Sequence, residues 1–293
     1  MEVFERKRKH YALSDVHGMY EAYMAAIRKL NKEDCLFIIG DVIDRGEDGI
    51  KIIQDIIARQ KSPENNPEIT FLIGNHEMMF LQTVNIMLKY GINKNDLIEL
   101  IENKGNIESF FKRIQKDKGV NRIDIGVIEN WINNNGGDIT IFKYLQELNG
   151  SQMKEIYKFL LDSYVILPKK IDGNDFLFVH SMPIFDTGKL NYMKETWKGF
   201  KVVDLTLREY SFMLSQRIDK DYYKKAKEMG FVTICGHTPC EGEITNMKDR
   251  GYIRIDAGCG HKKEGSKLAL YCIEDDKVEY IDEKPEITLD ENR

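Results

Sequence analysis

The sequence predicts an α/β fold, and two observations carry that prediction. Apolar runs of about five residues alternate with helical patterns through the first third, as βαβ units do in a sheet buried on both faces. Each run also ends in a polar loop, and in such sheets ligands collect beyond the carboxyl ends of the strands.

The first run, Tyr11-Ala12-Leu13, leads through Ser14-Asp15-Val16-His17-Gly18 into a helix expected over 20–30. The second, Cys35-Leu36-Phe37-Ile38-Ile39, leads through Gly40-Asp41-Val42-Ile43-Asp44-Arg45-Gly46 into a helix over 49–59. The third, Ile69-Thr70-Phe71-Leu72-Ile73, leads through a loop Gly74-Asn75-His76-Glu77 into a helix from about 78 to 89.

The middle, about 85–162, carries Asn, Lys, Ile and Leu at helical spacing and reads as a helical insertion or cap. The turn signal Asn133-Asn134-Asn135-Gly136-Gly137 interrupts it. Its helix faces read as packing surfaces rather than sites. The last third returns to strands: 164–167 and 176–179 flank the hairpin turn Asp172-Gly173-Asn174, and 232–235, 252–255, 268–273 and 278–281 follow. Asp275-Asp276-Lys277 reads as the last turn, and the charged tail from Glu283 as frayed. No repeat or Gly/Ser/Pro-rich linker divides the chain. We expect one domain over 1–293, with the insertion at about 85–162.

Composition excludes several classes. The 293 residues are 42% hydrophobic and 31% charged, as in a soluble globular protein. The balance of 43 Lys+Arg against 48 Asp+Glu, net −5, argues against a dedicated nucleic-acid binder. The run Arg6-Lys7-Arg8-Lys9 reads as a solvated edge beside the first strand. Five cysteines without CxxC spacing argue against a disulfide framework or a zinc ribbon, and buried reduced thiols are the plain reading. The charged first residues carry no apolar core of a signal peptide, and no run approaches the ~18–20 apolar residues of a membrane helix. A cytoplasmic location without membrane contact is expected.

Four of the six histidines, His17, His76, His180 and His237, stand at or just past the end of an apolar run. Asp15, Asp41 and Asn75 occupy equivalent places. Imidazole, carboxylate and amide oxygen together suit Mn²⁺, Fe²⁺ or Zn²⁺. About six ligands are too many for one tetrahedral ion; two ions sharing a carboxylate would use them all.

Asp15-Val16-His17, Gly40-Asp41-Val42-Ile43-Asp44-Arg45-Gly46, Gly74-Asn75-His76-Glu77, Val179-His180-Ser181 and Gly236-His237-Thr238-Pro239 resemble, in order, the signature blocks of calcineurin-like metallophosphoesterases. The Asp-Arg-Gly and Asn-His-Glu forms resemble the phosphoprotein phosphatase branch, which holds Ser/Thr protein phosphatases and bacterial symmetrical diadenosine tetraphosphate hydrolases. The resemblance implies a four-layer α/β/β/α sandwich of two mixed sheets with a helical cap, where strand–helix alternation alone suggests an open parallel sheet.

The resemblance also implies roles. Asp15 and His17 bind a first metal, Asp41 bridges, and Asn75, His180 and His237 complete a second, with Mn²⁺ expected and Fe or Zn as alternatives. His76 is the general acid, Asp44 orients it, and Arg45 holds phosphate oxygens. The nucleophile is a metal-bridging water whose pKa two cations depress. A second phosphate-binding arginine is Arg208 or Arg217; Leu214-Ser215-Gln216-Arg217 favours Arg217, although it lacks the Trp of the bacterial pattern. Trp131 with Asn135-Gly136-Gly137 and Thr140 resembles a bacterial segment, either lining the substrate groove or forming a helix core and a Gly turn. Asp256 in Ile255-Asp256-Ala257-Gly258 reads as structural. His261 and His10 read as ordinary loop and edge histidines.

The last block lacks the second histidine common in phosphodiesterase branches, which turns the expectation toward phosphomonoesters or pyrophosphate-type substrates. The expected activity is that of a bacterial-type Ser/Thr protein phosphatase, with symmetrical bis(5'-nucleosyl)-tetraphosphatase as the alternative. The partner is accordingly a phosphorylated protein, a small phosphoester or a dinucleotide, and no nucleic-acid polymer.

Overall fold

The computed structural model describes residues 7–96, 107–184, 186–217, 220–261 and 263–283. Arg6, part of the insertion (97–106) and the tail beyond Glu283 lie outside them.

The βα alternation forms as expected. Strands β1 (His10–Leu13), β2 (Cys35–Ile39) and β3 (Glu68–Leu72) run parallel, His10 opposite Cys35 and Cys35 opposite Glu68. Helices α1 (Tyr20–Arg28) and α2 (Gly49–Lys61) follow the first two strands. The third helix, α3 (Asn75–Tyr90), starts three residues before the expected position. Gly74 caps it, and the Glu77 carboxylate reaches back 2.9 Å to accept the Gly74 N–H. Asn75, His76 and Glu77 are therefore helical rather than loop residues.

The described part of the insertion is helical: α4 (Ile107–Lys118), α5 (Arg122–Glu129), a π-helical turn (Asn130–Asn134), α6 (Gly137–Gln146) and α7 (Gly150–Leu161). A Cβ at Gly137 would fall 2.3 Å from the Trp131 ring, so only glycine lets α6 start there.

Strands β4 (Tyr164–Ile171) and β5 (Asn174–Val179) form the expected hairpin. The last third is more helical than the sequence suggests. Helices α8 (Thr187–Thr196), α9 (Leu207–Ser215) and α10 (Lys220–Glu228) separate β5 from β7 (Val232–Cys235), with the short β6 (Phe200–Lys201) between α8 and α9. Strands β8 (Thr245–Met247), β9 (Tyr252–Arg254), β10 (Lys267–Cys272) and β11 (Lys277–Asp282) complete the chain. β6 and β8 are too short to leave a pattern in the sequence.

The two expected sheets are halves of one. The strand order is β11-β10-β1-β2-β3-β4-β5-β7-β9-β8, with β6 on β4. β3 and β4 meet through one register pair, Leu72 opposite Tyr164, and the sheet folds over at this seam. The halves face each other: Phe37 of β2 stacks on Phe178 of β5 with centroids 4.1 Å apart. Around that pair Ala12, Ile39, Leu72, Leu167, Ile234 and Ile253 form an inner core. The larger outer core lies between the sheet and its helices, and these are the four α/β/β/α layers.

The two end strands are stitched together. The Tyr280 hydroxyl accepts the Ile244 N–H at 3.0 Å, and the Asn246 amide donates to Asp276 at 2.8 Å. The described part of the basic run is locally neutralised: Lys7 lies 2.9 Å from Asp172, Arg8 pairs with Glu68, and Lys9 with Asp275.

Candidate metal centre and active site

Folding the sheet over brings the carboxyl ends of β1, β2, β3, β5 and β7 to one place. Backbone hydrogen bonds lock the loops together. Asp15 N–H donates to Gly40 O at 3.0 Å, His17 N–H to Asp41 O at 2.9 Å, and Gly236 N–H to His180 O at 2.8 Å. The His237 N–H donates to Asp15 Oδ2 at 3.0 Å, joining the two halves of the sheet.

This convergence forces the chain into unfavourable conformations. Asp15, His17, Asp41, Asp44, Arg45 and His237 all have left-handed backbones, with φ between 46° and 69°. Each costs roughly 1–2 kcal/mol for a residue bearing a Cβ. Close approach adds to the constraint: a Cβ at Gly74 would fall 2.1 Å from Asp41 Oδ1.

Asp41 stands at the middle. Its Oδ1 accepts the His76 N–H at 3.0 Å. Its Oδ2 is free to face the pocket, 3.1 Å from His180 Nε2, 3.8 Å from His76 Nε2 and 4.0 Å from His17 Nε2. Two groups of buried or half-buried donors therefore share Asp41: one with His17 and His76, the other with His180 and His237. Asn75 Oδ1 joins the second group, 3.0 Å from His180 Nε2 and 2.8 Å from His237 Nδ1. Asp15 Oδ1 flanks the first at 4.0 Å from His17 Nε2.

The donor set fits two divalent ions. The Nδ1–H of His17 donates to Ile43 O at 3.0 Å, and that of His180 to Ile39 O at 2.8 Å. Each bond fixes the ring and turns the Nε2 lone pair inward, the usual outer support of a metal-bound histidine. Oxygen and nitrogen donors 3–4 Å apart suit an ion about 2.0–2.2 Å from each.

The charges of these groups are tightly coupled. Burial alone would lower the His180 imidazole, but Asp41 beside it raises the pKa to about 10. Burial and the charge of His180 lower His237 to about 4. Burial opposes ionisation of Asp41, yet His180 and His76 hold its carboxyl well below the usual range.

His76 is held differently. Its Nδ1 lies 2.6 Å from Asp44 Oδ2, while its Nε2 points to the pocket. Burial lowers its basicity, but Asp41 and Asp44 overcome this and raise the pKa. Asp44 is fully buried and saturated by the insertion: the Trp131 indole N–H donates to Oδ2 at 2.7 Å and the Thr140 hydroxyl to Oδ1 at 2.6 Å. Thr140 Oγ1 in turn accepts the Asp44 N–H at 3.0 Å. The insertion thus builds the site, which corrects its reading as mere packing surface. Trp131 is a core residue packed on the Gly137 turn rather than groove lining, and its indole also stands behind the His76–Asp44 pair.

Two further residues exceed their expected roles. The Glu77 carboxylate, fully buried, accepts the N–H groups of Gly74, Asp41, Val42 and Ile43 at 2.8–3.2 Å and so shapes the Asp41 loop. Burial and Asp41 push its pKa to about 7 against the Gly74 and Asp41 N–H groups. Its place three residues into a helix behind Gly74 is the sequence signal for it. His261, expected to be solvated, reaches the site: its Nε2 lies 2.9 Å from Arg45 Nη1. Burial and Arg45 lower its pKa to about 4.

Arg45 is half-buried at the pocket rim, with Nη2 3.4 Å from His76 Nε2. Arg217 is exposed, on the chain just past Gln216, whose carbonyl accepts the Ser181 hydroxyl beside His180. Arg208 lines a groove of about 660 Å³ with Ile184, Phe212 and Gln216. Asp256 is buried and accepts the Gly258 N–H at 2.8 Å, a bond that shapes its own loop. His10 lies away from the pocket, 2.5 Å from Glu274 Oε1.

A sandwich with paired donors at its strand ends defines a metal-dependent phosphoesterase architecture. The family model of calcineurin-like phosphoesterases matches residues 9–242, and the chain belongs to that family. Among its relatives, a symmetrical bis(5'-nucleosyl)-tetraphosphatase of Wigglesworthia glossinidia brevipalpis is 27% identical over 167 residues, 52% of this chain and 56% of that protein. Another, of Legionella pneumophila, is 34% identical over 74 residues, 24% of this chain and 25% of its own length. The chain thus spans about half the length, or less, of these relatives. A Ser/Thr protein phosphatase of Saccharomyces cerevisiae shares the fold with a TM-score of 0.54 at 12% identity, over 94% of this chain and 80% of that one. Among the described residues no helix is long and apolar enough to cross a membrane.

Proposed function

We propose that this chain is a two-metal phosphoesterase that cleaves dinucleoside tetraphosphates symmetrically into two nucleoside diphosphates. The observation that carries the chemistry is Asp41 Oδ2, facing three imidazole nitrogens within 4.0 Å. The substrate class rests on the curated relatives, which share that printed activity. This replaces the protein phosphatase as the leading reading. The latter ranks second, because the fold likeness that supports it is common to both substrate classes.

In this proposal Asp15 and His17 would hold one ion, Asn75, His180 and His237 the other, with Asp41 shared between them. Two divalent cations there would neutralise charge on the phosphoryl group and acidify water. Imidazole, carboxylate and amide donors suit Mn²⁺, with Fe or Zn as substitutes. Arg45 presents its planar fork to non-bridging phosphate oxygens. Arg217 is the second phosphate contact we propose, from its place beside the Ser181 loop. Water attacks one phosphorus, the P–O bond to the departing diphosphate breaks, and His76 delivers its Nε2 proton to the departing oxygen. Asp44 orients His76 and stabilises its charged form before that transfer. The unit of function is one domain over 1–293, with 85–162 as insertion. Five free thiols suit a cytoplasmic, reducing location.

The test is turnover of diadenosine tetraphosphate and of a phosphoserine/phosphothreonine peptide with Mn²⁺, by wild type and His76→Asn. The expected result is two ADP per dinucleotide and little release from the peptide, with kcat about 10²–10⁴-fold lower in the variant. Fast, His76-dependent peptide dephosphorylation with an intact dinucleotide would transfer the assignment to the second reading. No His76-dependent turnover of either would sink both.

A further inference from the structure

The loop after β9 carries a side chain that the chemistry above does not use. Cys259 is buried, with Sγ 3.6 Å from Val16 O, and packs this loop against the one that bears His17. Gly260 comes so close that a Cβ would fall 2.3 Å from His17 Cβ. Its φ of +79° favours glycine as well. The Gly260 N–H donates to Glu283 Oε1 at 2.7 Å, and the His261 N–H to Gly258 O at 3.1 Å. The result is a braced loop that sets the His261 ring edge-on to His17, centroids 6.2 Å apart.

From there His261 Nε2 lies 2.9 Å from Arg45 Nη1. A guanidinium only donates, so this imidazole nitrogen accepts. Arg45 has few other restraints. Its backbone is left-handed, and its N–H reaches Gly136 O at a long 3.4 Å. Its second terminal nitrogen meets His76 Nε2 at 3.4 Å, a weak contact. A free arginine side chain loses rotamer freedom when it binds an anion, and a site that fixes it beforehand binds that anion more tightly.

We propose that His261 is a positioning residue, which holds the Arg45 fork over the pocket and leaves its remaining N–H groups for phosphate oxygens. This rests on the reading of Arg45 as the phosphate contact, and not on which phosphoester is the natural substrate. The probe is therefore inorganic phosphate, titrated calorimetrically into Mn²⁺-loaded protein.

His261→Ala is expected to weaken phosphate binding roughly tenfold, the loss of one hydrogen bond to a charged group. His261→Gln, whose amide oxygen can accept from Arg45, recovers most of it. In an Arg45→Ala background, His261→Ala has no further effect, since the two act as one unit. In turnover, His261→Ala raises KM more than it lowers kcat. Metal content per chain stays at the wild-type value in each His261 variant. Phosphate affinity within twofold of wild type in His261→Ala would overturn the proposal. So would an equal loss in the Arg45→Ala background, or a loss of bound metal, either of which makes His261 a support for His17 instead. Failure to cleave the dinucleotide would overturn the proposed function while leaving these phosphate measurements interpretable.

Discussion

Asp44 is a buried carboxylate with an imidazole on one oxygen and donors from a distant insertion on both. Removing one donor from a buried charge costs about 1–3 kcal/mol, because the carboxylate keeps its desolvation penalty. Thr140→Val is expected to cost that much in urea unfolding, since it loses both the donor to Oδ1 and the acceptor for the Asp44 N–H. Trp131→Phe keeps most of the core volume but removes the indole donor to Oδ2. Its kcat is expected to fall more than its stability, because the His76 ring shares that oxygen. At this scale the sequence was legible where a polar residue stands at or just past the end of an apolar run. Asp15, His17, Asp41, Asn75, His76, His180 and His237 announce themselves by chemistry at strand ends. Trp131, Thr140 and His261 do not, because their roles depend on side-chain contacts across 87, 96 and 216 positions of chain.

At the scale of elements, α3 and α9 show how capping decides boundaries. Pattern alone puts the start of α3 after Glu77, where the apolar run begins. The Glu77 carboxylate pulls the start back to Asn75 by capping Gly74, which places two site residues on a rigid first turn. α9 went unread, although it opens with Thr206 accepting from the Glu209 N–H at 3.3 Å and Glu209 answering the Thr206 N–H at 2.9 Å. Its apolar stripe is short, and the signal lay in the cap. Hydrogen bonds from Lys189 and Thr206 depress Glu209 to about 2. A carboxyl lowered on folding adds stability above its unfolded value near 4.5 and loses it as pH falls toward 2. Glu209→Gln is therefore expected to be less stable than wild type at pH 6, with the gap closing as the pH falls from about 4.5 to 2. Unfolding midpoints across that range measure it. A gap that stays constant would mean that the charge of Glu209 contributes nothing.

For the whole molecule, the alternation of strands and helices gives the α/β class but not the fold-over. An open sheet and a sandwich share the same local pattern. What separates them is the seam at Leu72 and Tyr164 and the contact of Phe37 with Phe178, pairs distant in sequence. The resemblance to a family supplied the sandwich; local periodicity did not. Phe178 stands two residues before His180, so the inner core and the metal pocket share a strand. Phe178→Ala is expected to cost about 3–5 kcal/mol in urea unfolding. It is also expected to weaken Mn²⁺ retention on dialysis, since β5 then loses its packing against β2. Full metal retention in that variant would show that the loops alone hold the pocket.

The left-handed residues at the pocket set durability against chemistry. Aspartate, histidine and arginine occupy backbone positions where glycine would rest more easily. A population of variants bred only for heat resistance, with no demand for turnover, would drift away from this centre. Arg45, half-buried and next to Gly46, is the first position to go, because Arg45→Gly relieves strain without opening a cavity. Such a chain would melt later and hold phosphate poorly. Thermal tolerance in this molecule is thus a misleading proxy for fitness, and any breeding scheme for a hardier form has to score both traits at once.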